Sequence, residues 1–156
     1  MLSTPHVALG MSLILIIPDK ILALTLALLS HFVFDFALPH WNPPLFRDYK
    51  KTKKLSFPSL LVIFFDSLLA LWLIANVIYF TSSTSRQMLY IILAAFLSIL
   101  PDLVKIPVYF FKLKNELLLT YIKYEHKYQA RAKAGIGILT QLVVLVACLY
   151  FISQSV

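Results

Sequence analysis

Hydrophobic side chains in this chain come in long runs rather than in alternation or in narrow helical stripes. Residues 7–38, 58–80, 87–104 and 135–152 are almost wholly apolar. A hydrocarbon core of about 30 Å takes roughly 20 apolar residues to cross as a helix, so each of the last three runs predicts one crossing. Pro18, Asp19 and Lys20 interrupt the first run. They end one helix and start another, which predicts a hairpin of helices over 7–17 and 21–38, the first arm being short and therefore tilted or re-entrant. Asp19 reads as the N-cap of the second arm.

Between Lys112 and Arg131 the pattern changes: Leu113, Leu117, Tyr121, Tyr124 and Tyr128 recur at three- and four-residue steps among lysines. This predicts a helix over 112–131 lying in the membrane interface, although a solvated basic helix with one core-facing stripe has the same signature. The expected fold is all-α, a polytopic membrane helical bundle forming one domain over 1–156, with an N-terminal helical hairpin and a cytoplasmic interfacial helix.

Composition agrees. Of 156 residues, 60% are hydrophobic, and the mean hydropathy is +0.84. Three Gly and one Cys exclude collagen-like and disulfide-scaffold classes, and Cys148 sits in an apolar run as an inert thiol. Fourteen Lys and Arg against seven Asp and Glu give +7, which in such a chain points to topology and anionic lipid headgroups rather than to nucleic acid. Arg47, Lys50, Lys51, Lys53 and Lys54 make one basic loop; Lys105 to Lys133 holds seven further positive charges. Both are expected in the cytoplasm of a prokaryotic cell, with the loop from Thr81 to Arg86 outside. Met1 to His6 lacks the Lys or Arg of a signal-peptide n-region, so no cleaved signal is expected.

Ionisable groups at membrane depth cost several kcal/mol unless paired, hydrated or metal-bound. Asp35, Asp66 and Asp102 lie in or at the end of apolar runs, and three of the four His fall in the first 40 residues. With about 1.5 Å of rise per helical residue, the topology brings His6, His31, Asp35, His40, Asp66 and Asp102 to one half of the bundle and leaves Asp19 at the other surface. His31 and Asp35 stand at i and i+4, on one helical face, a spacing that suits a shared divalent cation and equally a structural hydrogen bond. The whole cluster is the mixed nitrogen and oxygen set that zinc, and after it manganese or iron, prefers. His6, His31, Asp35 and Asp66 are the expected metal ligands, with His40 and Asp102 as catalytic second-shell or acid groups. Lys50, Lys51, Lys53 and Lys54 are expected to attract an anionic substrate, with His126 on a lid.

The segments Thr4-Pro5-His6, Ser30-His31-Phe32-Val33-Phe34-Asp35-Phe36-Ala37-Leu38-Pro39-His40-Trp41 and Leu100-Pro101-Asp102 resemble the predicted membrane-bound metal-dependent hydrolases, a family remotely reminiscent of zinc-dependent phospholipases C. The resemblance lies mainly in the first 41 residues. It implies metal-dependent hydrolysis, with His6, His31, Asp35, His40 and Asp66 as the positions carried over. The expected substrate is a phospholipid or isoprenoid phosphoester met at headgroup depth. Two other functions fit the same residues: a transporter or channel relaying protons or cations, and a metal-stabilised membrane scaffold.

Overall fold

A computed structural model of the chain describes residues 1–81 and 84–155. Among these the fold is all-α: α1 (Ser3–Ile16), α2 (Lys20–Ala37), α3 (Leu45–Thr52), α4 (Phe57–Thr81), α5 (Ser85–Leu103), α6 (Ile106–Tyr109), α7 (Glu116–Tyr128) and α8 (Ala134–Ser153). Helices α2, α4, α5 and α8 are long and apolar enough to cross a membrane. Ser82 and Ser83, part of the loop expected outside, lie outside the described residues.

The expected hairpin is present, and both of its ends are sealed. Asp19 accepts from the backbone N–H groups of Ile21 and Leu22 at 2.9 and 3.1 Å, which caps α2. Lys20 folds the other way and donates to the carbonyls of Ile14 and Ile17 at 2.8 and 3.1 Å, satisfying the carbonyl end of α1.

Helix α1 is not a peripheral arm. It packs against α2, α4, α5 and α8 at once, and buries nine residues from Thr4 to Ile14. Its residues explain this: Ala8, Gly10 and Ser12 keep it thin, and a Cβ on Gly10 would stand 2.6 Å from the Ala94 carbonyl oxygen. A helix surrounded on all sides needs no polar face. The four long helices instead turn large apolar residues outward, Phe64, Phe65, Leu68 and Trp72 on α4 and Leu139, Val143 and Val146 on α8 among them. Polar side chains within these helices return hydrogen bonds to their own backbone, as Thr25 does to Ile21, Asn76 to Trp72 and Thr140 to Ile136. Such bonds satisfy those groups without water.

At one end of the bundle α3, α6 and α7 form a cap with a small core of its own, in which Tyr49, Val108 and Ile122 are buried. Helices α3 and α6 fall in stretches expected as basic loop. The helix expected over 112–131 is shortened to α7, because the chain turns at Lys112 with φ 55° before Asn115 caps the new helix. Leu117, Tyr124 and Tyr128, from the stripe read as apolar, stay exposed. The inward stripe is Leu118, Ile122, Glu125 and Gln129, with Ile122 and Glu125 buried. An outward apolar stripe suits a membrane interface; the inward one serves the site below.

The cap is stitched to the bundle through backbone. His40 N donates to Ala130 O and Ala132 N to His40 O, both at 2.9 Å, while Ala130 N donates to Asp35 O at 2.9 Å. Helix α8 runs directly behind this seam. A Cβ on Gly137 would meet the Trp41 nitrogen at 2.3 Å and the His40 carbonyl carbon at 2.6 Å, whereas Gly135 has open space. Gln141, one turn on from Gly137, donates to Trp41 O at 2.9 Å and accepts from Leu2 N at 2.7 Å.

Gly137→Ala should therefore cost about 1–3 kcal/mol, since the clash is with backbone that cannot swing away. Gly135→Ala should be neutral or gain up to about 1 kcal/mol from helix propensity. Thermal unfolding of both variants in one detergent tests the pair; equal midpoints would show that α8 does not press on the His40 segment.

Candidate metal centre

Asp35 is the hub of the polar cluster. It stands on the last turns of α2 with its side chain 1% exposed, facing His6 from α1 and His40 from the turn after α2. His6 Nε2 lies 3.1 Å from Asp35 Oδ1. His40 Nε2 is 3.7 Å from Oδ1, and His31 Nε2 is 3.8 Å from Oδ2 and 3.8 Å from Asp102 Oδ1. The His6 and His31 rings stack with centroids 4.2 Å apart. Gln129 of α7 donates to Asp35 Oδ2 at 3.0 Å, and the α-amino group of Met1 contacts Oδ1.

The outer nitrogens fix which face of each ring is free. His31 Nδ1 lies 2.9 Å from the Ser98 carbonyl, and His40 Nδ1 lies 2.9 Å from the Leu38 carbonyl. A carbonyl only accepts, so both Nδ1 atoms carry the proton, and in the neutral rings both Nε2 atoms present lone pairs. Burial holds His40 below the ordinary imidazole range, which keeps that ring neutral. Both Nε2 atoms are aimed at carboxylate oxygens. His6 Nδ1, His31 Nε2 and His40 Nε2 are buried with no hydrogen-bond partner. The Met1 ammonium and the Gln129 amide answer Asp35, but these three imidazole nitrogens are left without a partner, and a cation among them would supply one. The outer hydrogen bonds are those that orient metal-binding imidazoles.

Two donor sets have the reach for one. His6, His31 and Asp102 can each offer an atom within 4.8 Å of the others, and so can His31, Asp35 and Glu125. The structure thus brings together His6, His31, Asp35, His40 and Asp102, all predicted, and adds Glu125, which was not. Glu125 belongs to the stripe of Leu118, Ile122 and Gln129, a three- and four-residue spacing on which it could have been found.

Asp66 has a different position from the one expected. Its carboxylate reaches across from α4 to cap α1, accepting from Ser3 N at 2.6 Å, Thr4 N at 3.1 Å and Thr4 Oγ1 at 2.8 Å. Depth along a helix was read correctly for Asp66, but its oxygens are taken up by α1 and it belongs to neither donor set. It positions His6, two residues further along α1.

Lys105, read from sequence only as a topological charge, is the cation already present. Its Nζ lies 2.5 Å from Asp102 Oδ1 and 2.5 and 2.7 Å from the two Glu125 oxygens. Burial opposes its charge, but the two carboxylates outweigh burial and hold the ammonium above the usual lysine range.

Beside the cluster a cavity of about 580 Å³ opens between bundle and cap, lined by Asp102, Lys105, His126, Arg47, Lys50 and Arg131 together with apolar residues of α3, α5 and α6. Of the four lysines expected to draw in substrate, only Lys50 is there. Lys51, Lys53 and Lys54 are exposed and do not line the cavity, and Lys53 lies over the Tyr49 ring, 4.9 Å from its centroid. The turns of α3 select Arg47 and Lys50, at i and i+3, for the cavity side. His126 does reach the cavity wall, packed against Phe46 with centroids 4.2 Å apart and the rings tilted by 40°.

A comparison with known proteins finds no family model, no curated protein and no solved structure that matches the chain.

Lys105→Met should destabilise the fold by about 3 kcal/mol or more, because it leaves buried carboxylates without their counter-charge. Adding Glu125→Leu to that variant should recover part of the loss, and an additive double variant would refute the pairing. A second measurement concerns pH. Burial, reinforced by Arg131 and Lys50, lowers His126 from 6.5 to about 4. The unfolded chain then binds this proton before the folded one, so the His126 contribution is complete above pH 6.5 and is lost as pH falls from 6.5 towards 4. His126→Phe, which keeps the ring packing, should flatten the fall in unfolding midpoint over that window; an unchanged slope would argue against it.

Proposed function

We propose that this is a multi-pass integral membrane protein and a metal-dependent hydrolase of lipid or isoprenoid phosphoesters. One observation carries the reading: the Nε2 lone pairs of His31 and His40, each fixed by a backbone hydrogen bond on the opposite nitrogen, converge with no partner on the buried Asp35 carboxylate. The resemblance of the His31 to His40 block to membrane-bound metal-dependent hydrolases points the same way. Five positive charges over 47–54 and seven over 105–133 lie in or beside the cap, and the bias of basic residues towards the cytoplasm supports a site at the cytoplasmic leaflet.

The donors of this proposed centre are His6, His31, Asp35 and Asp102, with Glu125 and His40 at its edge. A divalent ion held there, zinc first by its donor set and manganese or iron next, supplies Lewis acidity and a lowered pKa for water. Asp102 and Glu125 are the cluster carboxylates that also line the cavity, so they are placed to meet the reacting phosphoester, and Asp102, with one oxygen on Lys105, is the one assigned to move a proton. His40 is fully buried and absent from the cavity wall, and its role is to hold and orient. Water adds to phosphorus, the bond from phosphorus to the leaving alcohol breaks, and the water proton ends on the leaving oxygen. Arg47, Lys50 and Arg131 favour the phosphate charge, while Phe46, Leu103, Ile106 and Phe110 offer an apolar wall to its lipid tail.

The metal-free scaffold is the second reading, and the Met1 amino group on Asp35 favours it, since an ammonium also answers the carboxylate. Elemental analysis of protein purified in detergent separates the two. The parent should carry bound metal, His31→Ala and Asp35→Ala should each lose it, and Asp19→Ala at the opposite end should keep it. Chelation should abolish release of phosphate or phosphoalcohol from a phospholipid and polyprenyl phosphate panel, and zinc or manganese should restore it. A parent without metal sinks the hydrolase and leaves the metal-free scaffold; metal without turnover on any phosphoester leaves the metal-stabilised scaffold expected from the sequence.

A further inference from the structure

The centre offers ligands for more than one ion. Phosphoester hydrolysis commonly uses two cations about 3.5–4 Å apart, which clamp the attacking and leaving oxygens together. Here His6, His31 and Asp102 form one set of donors and His31, Asp35 and Glu125 another. The sets share His31, whose Nδ1 is committed to Ser98 O, so its single free Nε2 serves one ion only. Asp102 Oδ1, which also faces His31 Nε2 at 3.8 Å, and both Glu125 oxygens already surround an ammonium at 2.5, 2.5 and 2.7 Å.

We propose that Lys105 is the permanent occupant of the second cation position, so that the centre takes one exchangeable divalent ion beside a cation built into the chain. The inference rests on the metal reading above and adds its stoichiometry. Charge supports it. The carboxylates of Asp35, Asp102 and Glu125 carry three negative charges and Lys105 one positive charge, a remainder of minus two that one divalent ion cancels. A second divalent ion would leave plus two in a buried site; with the Met1 ammonium counted, one ion leaves plus one and two leave plus three. Geometry supports it as well. An ammonium has three N–H donors, and three carboxylate oxygens lie within hydrogen-bond distance of this one, so it fixes the Asp102 and Glu125 carboxylates relative to each other. With its donors so committed, Lys105 is a positioning residue rather than one that hands protons to substrate.

Manganese(II) titration of the full chain in detergent tests this, read as ions bound per chain and by electron paramagnetic resonance. The parent should saturate at one ion with the spectrum of isolated manganese. Lys105→Ala removes the cation and leaves its space open, and should bind a second ion, give the spectrum of a magnetically coupled pair and gain a manganese-dependent rise in unfolding midpoint. Lys105→Met fills the space and should stay at one ion. Two coupled ions in the parent would overturn the inference, as would a folded Lys105→Ala that still binds one. Should Lys105→Ala fail to fold even at saturating manganese, the parent spectrum decides: isolated ions support the inference and a coupled pair overturns it. No bound ion in the parent would remove the metal centre itself, an outcome distinct from two.

Discussion

A carboxylate buried among apolar helices has to be answered by positive charge or by hydrogen-bond donors, and most of this fold is arranged to answer Asp35. Its side chain is reached by α1 through His6, by the turn after α2 through His40 and by α7 through Gln129. Its backbone carbonyl accepts from Ala130, so the segment after α7 is anchored by the same residue. Removing water from a carboxylate costs several kcal/mol, and that cost is offset only while all of these elements are in place. The cluster is thus the point at which cap and bundle are joined.

The four long apolar helices were legible in the sequence because each is a run of about 20 apolar residues, the length that crossing a bilayer demands. The cap was not. Helix α3 carries Arg47, Lys50 and Lys51 among Leu45, Phe46 and Tyr49, and its eight residues are too few for periodicity to outweigh a run of charges. Arithmetic of helical rise placed His6, His31, Asp35, His40 and Asp102 at one depth, and the structure has them together. The same arithmetic is blind to rotation about the helix axis, which is why Asp66 was grouped with the ligands although it faces the start of α1. Lys105 and Glu125 were hidden for another reason. Both lie in a basic segment whose charges were read for topology, and their pairing is a contact between α7 and the end of α5 that no local spacing reveals.

Small residues set the tolerances of the site. Gly10 lets α1 approach α5 near Ser98, whose carbonyl orients His31, and Gly137 lets α8 approach the backbone of His40 and Trp41. Neither glycine has a positive φ, so both are there for space rather than for conformational freedom. Bulk at either position would displace an imidazole without touching it.

The central place of α1 has a consequence for how the protein is made. Its neighbours α4, α5 and α8 all follow it along the chain, α8 last of the helices. During synthesis α1 and α2 therefore exist for a time as a bare hairpin, with His6, Thr4 and Asp35 lacking most of their eventual surroundings. Lys20 and Asp19 need only the hairpin itself to close its turn, but the opposite end waits for Asp66 and, finally, for Gln141. A chain stalled before α8 would leave the Leu2 backbone N–H without Gln141 and the α1 face that α8 covers exposed. Assembly of this bundle is accordingly gated by its last helix rather than by its first.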